Sequence, residues 1–182
     1  MDFSLSDEEK RVLLGMARES VLSVLEGRQP RFSAASPSLH RNGSAFVTLR
    51  GRDGTLRGCI GSISGARPLD ETVTEMARAA AFQDPRFSPV EEAELPKIRF
   101  EISVLSPFWL TRTPEELTPG VHGAYIKRGG RTGILLPKVA VEQGWDRQQF
   151  LNHACLKAGL APESWKHPDT QVFLFTALDF AE

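Results

Sequence analysis

Apolar residues recur at helical spacing near the start of the chain, which predicts a first amphipathic helix of about five turns. Ser6 and Glu9 have the spacing of a capping box at its beginning, and Gly27 followed by Pro30 ends it. The apolar positions of this helix are Leu13, Ala17, Val21 and Val24.

Alternating apolar and polar residues predict a strand over residues 98–105. Its apolar positions are Ile98, Phe100, Ile102 and Val104, and its polar positions are Arg99, Glu101 and Ser103. Two hairpins are also expected, one over residues 45–60 that turns at Asp53-Gly54 and one over 123–136 that turns at 128–131. A last strand is predicted over residues 172–177.

Helices are expected to follow each hairpin. The first runs from Pro68 to about Phe82, whereas after the second hairpin Pro137 starts a short helix and Asp146 caps another that runs to about Lys157. The order of hairpin and then helix therefore occurs twice, which is compatible with an internal β/α duplication. Because hairpins outnumber βαβ units, we predict an α+β fold with a mainly antiparallel sheet flanked by helices.

The composition is that of an ordinary globular protein. The chain has 182 residues, of which 41% are apolar and 25% charged, with a net charge of -1, so we expect one domain over residues 1–182 with two unequal lobes. No apolar run approaches the ~18 residues of a membrane span, and the N-terminus is acidic where a targeting peptide would be basic. We therefore expect a soluble, cytoplasmic protein. Phosphate-loop, dinucleotide and zinc motifs are absent from the sequence, so it indicates no metal and leaves the cofactor unknown.

The charge is distributed unevenly along the chain. Residues 28–67 contain seven arginines and one acid, Asp53. Such a stretch could form an anion-binding face, or its arginines could be solvated on loops and strand edges. The near-zero net charge disfavours nucleic-acid binding.

The candidate chemistry centres on Leu56–Gly61, which reads Leu-Arg-Gly-Cys-Ile-Gly. If this strand is regular, its period of two places Arg57 and Cys59 on one face. A neighbouring guanidinium favours the thiolate, which is the reactive form of cysteine, and Gly58 and Gly61 leave room for backbone or substrate. Two interpretations remain open: a nucleophilic Cys59 beside Arg57, or a small cysteine packed under a turn.

Two further side chains are candidates for proton transfer. Glu101 lies on the polar face of its strand and would be a partner of Arg57 or a general base if that face met Arg57. His122 stands at a predicted strand entrance, where it could act as an acid, a base or a ligand. The alternatives are a solvated strand face and a hydrogen-bonded structural histidine.

Six segments, taken in order, resemble one family. They are 56–61 (LRGCIG), 84–87 (DPRF), 101–105 (EISVL), 122–123 (HG), 135–140 (LLPKVA) and 155–160 (CLKAGL), with Trp165 as a further match. The chain thus resembles the AMMECR domain family, whose prokaryotic members are called AmmeMemoRadiSam system protein A. The match runs from about residue 5 to the C-terminus, and the segment around Cys59 is its most specific part.

The resemblance implies an α+β fold of two unequal lobes around a barrel-like, mainly antiparallel sheet, built from two similar β/α repeats. It also implies an association with radical-SAM and Memo-like proteins, while the family has no established reaction. The residues under suspicion in an active cleft are Arg57, Cys59, Glu101 and His122, with Asp84 and Arg86 as supports.

Two functions from different classes are therefore predicted. The first is an enzyme or binding protein for a small anionic or nucleotide-like molecule, with Cys59 as nucleophile or acid. Its substrate-binding residues would be Arg57, Gly58, Gly61 and Arg86. The second is a non-catalytic adaptor that docks onto a radical-SAM or Memo-like partner, or a nucleic-acid-associated module. A homodimer is compatible with a chain of this size.

Overall fold

The structure is a computed structural model, which describes residues 4–32 and 36–182. Its elements are α1 (Asp7–Leu25), β1 (Ser44–Gly51), β2 (Leu56–Ser62), α2 (Leu69–Phe82), β3 (Ile98–Leu105), β4 (Trp109–Leu110), β5 (Gly123–Arg128), β6 (Arg131–Leu135), α3 (Pro137–Gln143), α4 (Arg147–Lys157), β7 (Gln171–Phe175) and β8 (Ala177–Ala181). They form two compact units, the first made of Met1–Leu105 with Leu178–Glu182 and the second of Ser106–Ala177.

The first unit contains a four-stranded sheet in the order β2-β1-β3-β8, in which β1 is antiparallel to both β2 and β3. Alternate residues of β1, namely Ala45, Val47 and Leu49, are fully buried in the hydrophobic core. Helices α1 and α2 supply the other side of this core, and they also pack on each other. The helices therefore cover one face of the sheet, and the residues between the buried positions lie on the other face.

The second unit contains a four-stranded sheet in the order β4-β7-β5-β6, with β7 antiparallel to both β4 and β5. Its core joins Ile126 and Leu174 of the sheet to Phe150 and Ala154 of α4, and all four residues are fully buried. Asp146 caps α4, and its side chain accepts a hydrogen bond from the backbone N–H of Gln149.

The two units share one topology. In each, a hairpin is followed by helix and then by a third strand that pairs with the first strand of the hairpin, which gives the orders β2-β1-β3 and β6-β5-β7. A glycine of each return strand lies against helix backbone. A Cβ atom at Gly58 would lie 2.2 Å from the Ala80 carbonyl oxygen of α2, and one at Gly133 would lie 2.4 Å from the amide nitrogen of Ala158, next to α4. This common arrangement supports the predicted internal β/α duplication.

Most of the predicted elements form, and the α+β class is confirmed. The capping box of Ser6 and Glu9 is present at α1, and β3 has the predicted limits. The barrel-like sheet is wrong, because the strands form two separate sheets and each has two different edge strands. The predicted last strand is also wrong in detail, since the chain there forms both β7 and β8. Val24, assigned to the apolar face of α1, is 47% exposed.

Candidate functional site

Cys59 lies in β2 on the face of the first sheet that points away from the helices, because its neighbour Gly58 faces α2. Its partner across the strand pair is Thr48 of β1. The Thr48 hydroxyl donates a hydrogen bond to Sγ of Cys59 at 3.3 Å. Cys59 is half-buried, and this hydrogen bond holds its sulfur in position.

The backbone of Cys59 is held at the sheet edge by the loop that follows α2. β2 is an edge strand, so its outward N–H and C=O groups have no neighbouring strand. Asp84 Oδ2 accepts the N–H of Cys59 at 2.8 Å, and Arg86 Nη2 donates to the carbonyl of Cys59 at 3.4 Å. Two side chains thus replace the missing strand at this one residue.

Asp84 and Arg86 also bind each other. Nε of Arg86 lies 2.9 Å from Oδ1 of Asp84, and Nη2 lies 2.7 Å from Oδ2. The Arg86 guanidinium holds the pKa of the buried Asp84 carboxyl well below its usual range, although burial acts in the opposite direction, and the N–H of Cys59 lowers that pKa further. The carboxylate is therefore charged at neutral pH.

Arg57 does not lie beside Cys59 as the regular strand predicted. The register between β1 and β2 shifts at this point, with Leu49 opposite Gly58 and Arg50 opposite Leu56, so Arg57 is the extra residue of a bulge. The Arg57 side chain is 17% exposed, and its guanidinium instead contacts the segment that precedes β3. Nε and Nη2 donate to the Glu94 carboxylate at 2.9 and 3.0 Å, while Nη1 and Nη2 donate to backbone carbonyls in the same segment.

Arg86 is therefore the arginine beside Cys59. Its side chain is 54% exposed, and the pKa of Arg86 is raised, chiefly by its hydrogen bonds with Asp84 and also by the charge of that carboxylate. Sequence reasoning named both arginines for substrate binding. It could not choose between them, because the bulge at Arg57 is a feature of strand pairing.

Glu101 lies opposite Thr48 on β3, so Cys59, Thr48 and Glu101 form one row across three strands on the same face. Its carboxylate accepts a hydrogen bond from Nε of Arg50 at 3.1 Å. The predicted partnership of Glu101 with Arg57 is therefore wrong, because Arg57 is paired with Glu94.

The two glycines predicted to bind substrate lie against the protein itself. Gly58 faces the backbone of α2 at Ala80, as described above. A Cβ at Gly61 would lie 2.2 Å from the ring of Phe46, which covers this position from β1. Both residues therefore permit close internal packing, and this is the reason for their small size.

His122 belongs to the second unit. Its Nδ1 accepts a hydrogen bond from the N–H of Thr118 at 3.0 Å, and its ring meets that of Trp109 edge-on at a centroid distance of 5.6 Å. These contacts hold the ring in place. Its proton-transfer role in combination with Cys59 stays a prediction.

The arginines of residues 28–67 mostly have partners. Arg28 pairs with Glu19 and Glu26, Arg50 with Glu101, Arg57 with Glu94 and Arg67 with Glu75. Arg41 and Arg52 donate to backbone carbonyls. The arrangement agrees with arginines paired on loops and strands and does not support a continuous anion-binding face.

Three further observations concern metal ligands, the second cysteine and membrane spans. Among the residues described, no group of three or more His, Cys, Asp or Glu side chains is arranged to hold a metal ion. Cys155 is fully buried, and this burial raises the pKa of its thiol. Across residues 4–32 and 36–182, no helix is both long and apolar enough to cross a membrane.

Comparisons with known proteins place this chain in a family. The AMMECR1 family model matches residues 14–180. Protein MK0488 of Methanopyrus kandleri is 40% identical over 191 residues, which cover 100% of this chain and 92% of that protein. Protein NEQ441 of Nanoarchaeum equitans is 38% identical over 177 residues, or 93% of this chain and 98% of that protein. The crystal structure of the uncharacterized protein PH0010 from Pyrococcus horikoshii matches with a TM-score of 0.94 at 36% identity, covering 99% of this chain and 94% of that one. The chain belongs to the AMMECR1 family.

Proposed function

We propose that this AMMECR1-family protein binds a small anionic molecule on the polar face of its first sheet, with Cys59 as the nucleophile and Arg86 as the anion-binding residue. The observation that carries the proposal is that only part of the Arg86 guanidinium is used in contacts within the protein. Nε and Nη2 bind Asp84 and the Cys59 carbonyl, whereas Nη1 has no hydrogen-bond partner among the residues described. Its N–H groups can donate to an anion next to Cys59.

Thr48 and Asp84 prepare the sulfur for this role. The Thr48 hydroxyl donates to Sγ of Cys59 and so holds the sulfur in place. Asp84 fixes the backbone of Cys59, so the sulfur keeps its position when a ligand arrives. An enzyme that forms a bond to Cys59 and a binding protein that only contacts it would both use this arrangement.

Alkylation with a matched pair of reagents tests the proposal. Iodoacetate and iodoacetamide transfer groups of similar size to a thiolate, but only iodoacetate is an anion. We expect Cys59 to react at neutral pH and Cys155, fully buried, to remain unlabelled. Replacing Arg86 by Gln should lower the ratio of the iodoacetate rate to the iodoacetamide rate by about 3–10-fold, the effect of one nearby charge in a wet site.

Two further variants make the result specific. Arg86→Lys keeps the charge and should retain most of the rate ratio. Arg57→Gln removes a charge that is directed at Glu94, so its ratio should equal that of the native protein. An unlabelled Cys59, or equal ratios in the native and Arg86→Gln proteins, would contradict the proposal. Protection of Cys59 by AMP or by inorganic phosphate would then separate a nucleotide-like ligand from a simple anion.

An adaptor is the second candidate, and the exposed apolar side chains of the second unit favour it. Val121 is 52% and Val141 71% exposed, and a Cβ at Gly120, which precedes Val121, would lie 2.9 Å from the Val141 side chain. The family resemblance indicates a radical-SAM or Memo-like partner in the cytoplasm. Co-purification with such a partner that is lost in Val141→Glu, and kept in Arg86→Gln, would support the adaptor over the anion site.

A further inference from the structure

The second unit contains a cavity that the proposed Cys59 site does not use. Its volume is about 340 Å³, which lies within the ~300–1,000 Å³ of typical small-molecule sites. It is formed by the end of β4 and the residues that follow it, by the start of β7 with the loop before it, and by Leu151 of α4. Leu151 is 1% exposed and is part of the hydrophobic core.

The cavity has a mixed polar and apolar lining, with one charged group at its side. Its apolar lining residues are Leu110, Pro114, Leu151, Trp165, Pro168 and Val172. Arg112 is the single charged residue of the lining, which contains no acid. The Arg112 guanidinium makes no hydrogen bond or ion pair with the described residues, although the backbone N–H of Arg112 donates to Glu116 at 3.2 Å. An arginine in this setting is available to a carboxylate from solution.

Trp165, the aromatic residue of the cavity lining, is held in place by contacts within the protein. Trp165 donates its indole N–H to Oδ1 of Asn152 at 2.8 Å, and the same oxygen accepts the N–H of Glu163 at 3.0 Å. The loop before β7 is tied down by Thr170, whose hydroxyl donates to the carbonyl of Ser164 at 2.6 Å. A preformed wall binds a planar ligand without the cost of ordering it.

We propose that this cavity binds a small aromatic carboxylate, with the ring against Trp165 and the carboxylate on Arg112. The apolar lining residues around Trp165 favour a planar hydrophobic body, and the unpaired guanidinium favours one negative charge. The half-exposed Leu110, at 54%, would be covered by such a ligand. This site is independent of the proposed function, because it uses none of the residues around Cys59.

The test uses 2-naphthoate and its uncharged counterpart 2-naphthamide as probes. Binding is followed by the indole N–H signal of Trp165 in a two-dimensional NMR spectrum, assigned by its absence in Trp165→Phe. We expect 2-naphthoate to shift this signal and to bind about 5–10-fold more tightly than 2-naphthamide, the preference that one partly exposed charge pair provides.

Two variants decide the outcome. Arg112→Gln should remove the preference for 2-naphthoate while leaving the affinity for 2-naphthamide unchanged. Lys127→Gln, a loss of the same charge at an exposed residue outside the cavity, should leave both affinities as in the native protein. No shift of the Trp165 signal with millimolar 2-naphthoate, or equal affinities for the two probes in the native protein, would overturn the proposal. Because the readout is Trp165, failure here is distinct from failure of the Cys59 site.

Discussion

Asp84 accepts the backbone N–H of Cys59 at 2.8 Å, and through this bond a buried carboxylate holds the edge strand that carries the candidate nucleophile. The same carboxylate binds Arg86, whose guanidinium donates to the carbonyl of Cys59. Both outward backbone groups of Cys59 are thereby satisfied without a neighbouring strand. Asp84 is thus a structural residue of the site.

Replacing Asp84 by Ala should therefore reduce both stability and thiol reactivity. The substitution removes the acceptor of the Cys59 N–H and the partner of Arg86, so we expect the free energy of unfolding to fall by about 1–3 kcal/mol. Urea denaturation measures this loss. Asp169→Ala is the control, because Asp169 is an exposed carboxylate, 79% accessible, near one histidine. Equal stability losses in the two variants would contradict a bracing role for Asp84.

Acid should destabilise the first unit through two carboxylates of α1. Hydrogen bonds from Ser38 and from both the backbone and side chain of Ser6 lower the pKa of Glu9 to about 2, and hydrogen bonds from Arg28 and Arg31 lower that of Glu19 to about 2. A carboxyl group whose pKa is lower in the folded state stabilises the fold above its unfolded pKa, here 4.5. That stabilisation is lost as the pH falls from 4.5 towards 2.

The measurement is the urea midpoint of unfolding as a function of pH. Glu9→Gln should lower the midpoint at pH 7 and make its decline between pH 4.5 and 2 shallower than in the native protein, because one of the carboxyl groups that cause the decline is gone. Glu8→Gln changes the neighbouring exposed carboxylate, 71% accessible, and should keep the native slope. An unchanged slope in Glu9→Gln would show that Glu9 is not a source of the acid sensitivity.

Replacing glycine by alanine should destabilise the protein at the two return-strand glycines and stabilise it at a glycine of α1. Gly58→Ala should lower the free energy of unfolding by about 1–3 kcal/mol or more, because its Cβ would collide with the Ala80 carbonyl. Gly133→Ala should behave similarly in the second unit. Gly15→Ala should instead stabilise α1 by up to about 1 kcal/mol, since a Cβ there meets nothing within 4 Å. Thermal unfolding of the three variants tests the order, and a stable Gly58→Ala protein would contradict close packing at this position.

Much of the fold can be predicted from local sequence. The capping box at Ser6 predicts the start of α1, and the alternation in residues 98–105 predicts β3. Both predictions succeed because each pattern depends only on residues that are close in the chain. Val24 fits the apolar spacing of α1 yet is 47% exposed. The exposure of Val24 depends on where the hydrophobic core ends along α1, and the spacing of apolar residues does not contain that information.

The site could be predicted less well, because its contacts depend on pairing between strands. Strand parity correctly separates Gly58 from Cys59, but it fails at Arg57, where the bulge adds one residue. Thr48 carries no local signal at all. It becomes a partner of Cys59 only through the register of β1 with β2, which the turn and the bulge determine together.

The pair of Arg57 and Glu94 provides the last prediction, and it separates a structural role from a chemical role within residues 56–61. Arg57 binds Glu94 and two backbone carbonyls, with side-chain exposures of 17% and 39% for the two partners. A double-mutant cycle with Arg57→Ala and Glu94→Ala should give a coupling free energy of about 0.5–1 kcal/mol, as for a partly exposed ion pair. In each folded variant, Cys59 should react with iodoacetamide at the native rate, because neither side chain contacts its sulfur. A strong decrease in the Cys59 rate in Arg57→Ala, at native stability, would return Arg57 to the reactive site and remove Arg86 from its assigned role.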